Sequence, residues 1–120
     1  MENRFPSLRR LLHRNQFIEV RSAGKRLVTD QLIFQYLSRD DLAGQGGPRI
    51  GITMSRKVGN AVRRNRLKRM IREAFRQCSC DTSVDIVIVG RRNADVSAVS
   101  VDQIALHFTQ IFTKVSRRTK

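Results

Sequence analysis

Nine cationic side chains fall between Arg56 and Arg76 (RKVGNAVRRNRLKRMIREAFR), and Glu73 is the single acid among them. Like charges at i and i+4 destabilise an isolated helix, so a block of this kind needs both an apolar anchor and a polyanion to face. The residue order supplies the anchor. At 100° per residue, Leu67, Met70, Ile71, Ala74, Phe75 and Cys78 share one arc of a helix. Arg64, Lys68 and Arg72 form a row at i, i+4 and i+8, with Asn65, Arg69 and Arg76 beside it. That row repeats every ~6 Å along the axis, close to the phosphate spacing of a nucleic-acid strand. A merely solvated helix face would mix in acids; this one reads as a nucleic-acid contact.

The rest of the chain bounds the possibilities. At 120 residues with 40% hydrophobic side chains, the chain suffices for one domain spanning 1–120 with a compact core. The net charge of +14 points to a polyanionic partner and salt-dependent binding. An anionic membrane is the competing polyanion, but there is no Trp and Phe75 belongs to the core arc, so an interfacial helix would lack its anchors. No membrane role is expected. The longest apolar run, Ile86 to Val89, cannot span a bilayer, and the N-terminus lacks the apolar stretch of a secretory signal. Cys78 and Cys80 are poorly spaced to bridge each other on a helix end, and His13 and His107 are remote from them; inert thiols and a cytoplasmic location are expected.

Along the chain, Leu8, Leu11 and Leu12 sit in a basic lead-in with Arg9 and Arg10. A short helix follows from about Arg14 to Ser22, with Gly24 as its C-terminal cap. Leu27 to Leu37 reads as one strand, Asp40 to Pro48 as a Gly-rich hairpin connection, and Arg49 to Ser55 as a strand alternating Ile50, Ile52 and Met54 against Gly51 and Thr53. Asn60 caps the basic helix, which lasts to about Cys78. Val84 to Val89 is a short strand buried on both faces. A last helix opens at Ser100 with Gln103 three residues on and carries Val101, Ile104, Ala105, Phe108, Ile111, Phe112 and Val115 at helical spacing, before a frayed basic tail at 116–120. Helices and strands in this order predict an α+β layer sandwich on a small sheet, whose strand–helix–strand unit at 49–89 would by default cross right-handedly.

Lys57, Gly59 and Asn60 at the helix entrance offer a phosphate site of backbone amides plus a cation. Phe17 reads first as core, and second as a face for an unpaired base in a cleft between the first helix and the sheet. Strand alternation opposes Gln35 to Phe34 and Tyr36, so only one of these sets can face that cleft. Nothing resembles protein-borne catalysis: the ten acids are scattered, Asp40-Asp41 reads as a turn, and neither a Ser/His/Asp order nor a phosphate-binding loop occurs.

The segment SRKVGNAVRRNRLKRMIREAFR resembles the bacterial ribonuclease P protein subunit family, whose signature is a basic RNR helix entered through a K-x-G-N-A-V turn. The likeness extends to LRRLLHRNQF, PRIGITMS, VDIVIVGRR and the closing amphipathic helix. It implies a two-layer α/β sandwich resembling a ribosomal-protein domain, with an unusual left-handed crossover in place of the default hand. It implies a partnership with catalytic ribonuclease P RNA and precursor tRNA, with the RNA holding the Mg2+ that cleaves the 5′ leader and the protein contributing no catalytic or metal-binding residue; no obligate protein partner is inferred. By that resemblance Arg56, Lys57, Asn60, Arg63, Arg64, Asn65, Arg66, Lys68, Arg69, Arg72 and Arg76 face RNA, and Phe17, Arg21 and Gln35 line the leader cleft. Two positions depart from the family pattern, since Arg21 and Gln35 stand where aromatic residues are often found. The alternative reading is a ribosomal or assembly protein that binds structured RNA without a role in cleavage. A DNA-binding reading is weaker, because no second helix is placed to form a helix-turn-helix.

Overall fold

A computed structural model of the protein describes residues 14–39, 47–78 and 83–118, with backbone alone at 116–118. The leucine-rich lead-in, His13, Cys80 and most of the Asp40–Pro48 connection lie outside these residues. The element order is α1 (Arg14–Ala23), β1 (Lys25–Val28), β2 (Leu32–Ser38), β3 (Arg49–Thr53), α2 (Ala61–Gln77), β4 (Val84–Gly90), a single 3-10 turn (Val96–Ala98) and α3 (Val101–Arg118).

The expected strand over Leu27–Leu37 is two strands. The polar triplet Thr29-Asp30-Gln31 folds them into an antiparallel hairpin. Thr29 N–H donates to the Leu32 carbonyl (2.8 Å), and the Thr29 hydroxyl accepts from the Leu32 N–H (3.0 Å). Nor are the strands on either side of residues 40–48 hairpin neighbours. The sheet order is β1-β2-β4-β3, with β4 antiparallel to β2 and parallel to β3. The cause is hydrophobic: Val84, Ile86, Val87 and Ile88 are 0–3% exposed, and a strand apolar on both faces belongs in the centre of a sheet. Gly24 does end α1, donating its N–H to the Val20 carbonyl, but not as a left-handed cap. It is needed for close approach, since a Cβ there would fall 2.6 Å from the Tyr36 carbonyl oxygen. At the other terminus α3 continues as helix to Arg118, beyond the expected fraying point at Ser116.

α2 and α3 pack on one face of the sheet, over Phe34, Tyr36, Ile50, Ile86 and Ile88. Phe108 sits at the middle, edge-on to Phe34 (5.7 Å, 87°) and to Phe75 (5.4 Å), an arrangement that favours ring quadrupoles as well as burial. α1 lies across the other face, where Val20 and Val87 are buried together with Phe17, Leu37 and Val89 packed against them. On that face β4 also carries Asp85, a buried carboxylate at 3% exposure. Arg49 grips it with two parallel bonds of 2.9 Å. Arg39 adds a third at 2.6 Å and uses its other nitrogen on the Gly47 carbonyl. The triad ties the end of β2 and the start of β3 to the central strand.

Candidate nucleic-acid interface

The basic helix begins as its sequence demands. Gly59 turns the chain at φ +156°, and a Cβ there would meet the Arg63 side chain at 2.8 Å. Asn60 then caps the helix, its side-chain oxygen accepting the Arg63 N–H at 2.9 Å. Replacing Asn60 by Ala is expected to lower stability by about 1 kcal/mol, read as a shift in the urea midpoint; an unchanged midpoint would mean the cap is not formed in solution.

From that cap α2 runs 17 residues, about 25 Å. Leu67, Ile71, Ala74 and Phe75 are buried, and Met70 and Cys78 pack against the same core. The cations occupy the rest of the circumference in two tiers. Arg64, Lys68 and Arg72 are half-buried along the margin of the core, so their stems are held against protein. Arg63, Asn65, Arg66, Arg69 and Arg76 are exposed beyond them. Among the described residues, Arg76 is the one cation of the helix with a carboxylate within ion-pair distance, Glu73 at 3.5 Å. That pair is exposed and of little energetic weight. Among the described residues the helix thus presents a largely unneutralised positive surface.

The surface continues past the helix entrance. Arg56 and Lys57 are exposed on the loop after β3. That loop is held down by Val58, which is buried with Leu67 and Ala94. The Lys57 carbonyl accepts the Asn93 N–H at 2.8 Å, which sets this loop beside the turn that follows β4. Gly90 permits the approach, since a Cβ there would strike Met54 and Val58. In consequence exposed Arg91 and Arg92 join Arg56 and Lys57 at one end of the sheet. The sequence contains that arginine pair, but its nearness to Lys57 depends on strand order. Arg91 also bonds the Thr29 carbonyl (2.9 Å) and so braces the β1–β2 turn. Close by, the Ser97 hydroxyl and amide donate to Asp95 and hold its carboxyl below the usual range, with Arg63 adding a weaker effect.

The strand register assigns the second face. Gln35 pairs with Val87 across the sheet, and Val87 packs under Val20 of α1. Gln35 therefore lies on the α1 side, whereas Phe34 and Tyr36 are buried in the main core opposite. Phe17 is half-buried against the same cluster, and Arg21, one helical turn on, is exposed. Phe17, Arg21 and Gln35 thus lie on the α1 side of the sheet, apart from the α2 surface. Among the described residues no three His, Cys, Asp or Glu side chains gather as a metal site, and no helix is long and apolar enough to cross a membrane. A cavity of about 240 Å³ between the β1–β2 turn and α3, lined by Thr29, Gln31, Gln103 and His107, includes none of the surface cations and is smaller than most small-molecule sites.

A family model for Ribonuclease P matches residues 5–116. The ribonuclease P protein component of Citrifermentans bemidjiense is 35% identical over 115 residues, covering 95% of this chain and 94% of that one. That of Gluconacetobacter diazotrophicus is 42% identical over 85 residues, 68% of this chain and 71% of its own. Among solved structures, the RNase P protein of Thermotoga maritima superposes with a TM-score of 0.67 at 27% identity, over 88% of this chain and 96% of that one. The Staphylococcus aureus RNase P protein gives 0.65 at 24% identity over 90% and 94%, a likeness of fold.

Proposed function

Since the chain belongs to the ribonuclease P protein family, we propose that it is the protein subunit of a ribonucleoprotein in which a catalytic RNA removes the 5′ leader of precursor tRNA. The observation that carries this reading is the α2 surface. Its cations are anchored by a buried apolar face and, Arg76 apart, have no carboxylate within ion-pair distance among the described residues. Their work is electrostatic. Phosphates crowded where RNA strands converge repel one another, and the row Arg64–Lys68–Arg72 with Arg56, Lys57, Arg63, Arg66, Arg69 and Arg76 neutralises them. Asn60 and Asn65 add neutral donors and acceptors at the same surface.

The cleft of Phe17, Arg21 and Gln35 receives single-stranded leader nucleotides, which mature tRNA lacks. Substrate then binds better than product, and a base held on Phe17 contributes about 1–3 kcal/mol. Contacts to phosphate and sugar fix position without reading sequence. Hydrolysis belongs to the RNA, whose Mg2+ supplies the Lewis acid and activated water; this chain's residues bind, orient and neutralise. The setting is the bacterial cytoplasm, where precursor tRNA is made.

The test is cleavage of precursor tRNA by a bacterial ribonuclease P RNA at low magnesium, with and without the protein. Strong stimulation at low Mg2+ that fades as Mg2+ rises is expected, because added divalent ions take over the neutralising role. Equal rates with and without protein at every Mg2+ concentration would reject the assignment and leave binding of structured RNA without cleavage as the better reading.

A further inference from the structure

Arg26, on the α1 face of the sheet, stands outside the family-derived set. Arg26 of β1 pairs with Gln35 of β2, and Gln35 with Val87, so Arg26 shares the α1 face of the sheet. The hairpin fixes how close the pair is. Thr29 bonds Leu32 through its N–H, and pairs alternate along an antiparallel ladder, so 27/34 is hydrogen-bonded and 26/35 is not. Non-hydrogen-bonded partners have the closer Cα atoms, about 4.5 Å apart, and the closer side chains. Arg26 is exposed and Gln35 half-buried, and no other described side chain bonds the Arg26 guanidinium or the Gln35 amide.

Among the described residues the surrounding charge is one-sided. By register the polar side chains on this face of the sheet are Arg26, Gln35, Arg49, Thr53 and Asp85. The carboxylate among them, Asp85, is already held by Arg39 and Arg49. On α1, Arg21 follows Phe17 by one turn, while Glu19 lies roughly 200° round the helix from Phe17 and away from the cleft. Two guanidinium groups offer donors and no acceptor, and Gln35 adds further donors with one acceptor. A base edge presents donors and acceptors mixed. A phosphate presents acceptors and negative charge. The sheet's own aromatic rings, Phe34 and Tyr36, are 0% and 6% exposed on the opposite face, so the strand offers no stacking platform.

We propose that Arg26, with Gln35 and Arg21, binds a backbone phosphate of the leader, making Arg26 a specificity-determining residue that recognises leader by charge where an aromatic cleft would stack on its bases. The proposal rests on the reading of the cleft as the leader site. Bases near this point of the cleft are left unread, and leader affinity carries a salt dependence that a stacked base would not give.

The test uses the protein assembled with its catalytic RNA and compares affinity for precursor and mature tRNA. One leader linkage at a time is made a neutral methylphosphonate, and in a parallel series the same nucleotide is made abasic. At one position the methylphosphonate should cut the leader-dependent gain about five-fold, while the abasic nucleotide there leaves it intact. Arg26→Ala should give the same loss and lower the slope of log affinity against log salt by about 0.7. Methylphosphonate and Arg26→Ala together should cost no more than either alone. Additive losses, an unchanged slope in Arg26→Ala, or an abasic penalty equal to the methylphosphonate penalty would each overturn it. If the leader gives no affinity gain to the unaltered holoenzyme, both this proposal and the cleft assignment fail. A gain that persists through every methylphosphonate defeats the phosphate contact and spares the leader site.

Discussion

Replacing Arg64 and Lys68 together by glutamate is expected to weaken binding to the catalytic RNA by roughly a hundredfold at moderate salt and to flatten its salt dependence. The local charge passes from +2 to −2 at neighbouring positions of one helix row. Both side chains are half-buried at the margin of the α2 core, so their heads are held in place and little ordering cost offsets their contribution. If each meets one phosphate, two released counterions are lost, and the slope of log affinity against log salt falls by about 1.4–1.8. Exposed Arg69 and Arg76 provide the contrast: with longer free stems and, for Arg76, a carboxylate neighbour, their reversal should cost less. A double variant that keeps its helical circular dichroism and its original salt slope would show that α2 does not face RNA.

The second large effect concerns stability. Asp85→Ala is expected to destabilise the fold by about 3 kcal/mol, measured by urea denaturation, because it removes the buried carboxylate that two guanidinium groups share at the sheet end. Arg39 is 9% exposed at its side chain and would lose its carboxylate bond outright; Arg49 is 27% exposed and can turn partly to water, which keeps the figure at the lower end of the range for broken buried pairs. The loss should reach function indirectly. Arg39 and Arg49 tie the ends of β2 and β3 to β4, and β2 carries Gln35 into the cleft. Leader-dependent affinity is therefore expected to fall with stability, while α2, anchored by Ile71, Ala74 and Phe75 in the core on the other face, should keep its intrinsic affinity for RNA in the folded fraction. A midpoint within experimental error of the parent's would remove the triad as a structural clamp.

How much of this was legible in the chain follows from the range of the forces involved. The basic helix could be read almost to the residue, because helical periodicity and the Asn60 cap act over three or four positions. The closing helix from Ser100 could be read for the same reason, with Ser100 accepting the Gln103 N–H at 3.1 Å. The β1–β2 hairpin was hidden because Leu27, Val28, Leu32 and Ile33 make the segment look continuously apolar, and Thr29 and Asp30 were outweighed. Asp85 is the single charge in an apolar strand; its partners lie 46 and 36 residues away, and no local pattern connects them.

By itself the sequence determined the amphipathic basic helix, the unmatched positive charge and the family signature that the helix carries. These depend on neighbours within a turn or two and on composition. Tertiary structure decided which side chains share the α1 face of the sheet, placing Gln35 and Arg26 there and sending Phe34 and Tyr36 to the core. It also brought Arg91 and Arg92 beside Lys57. Those outcomes required β4 to enter the middle of the sheet, a placement set by burial of its two apolar faces against partners from opposite ends of the chain.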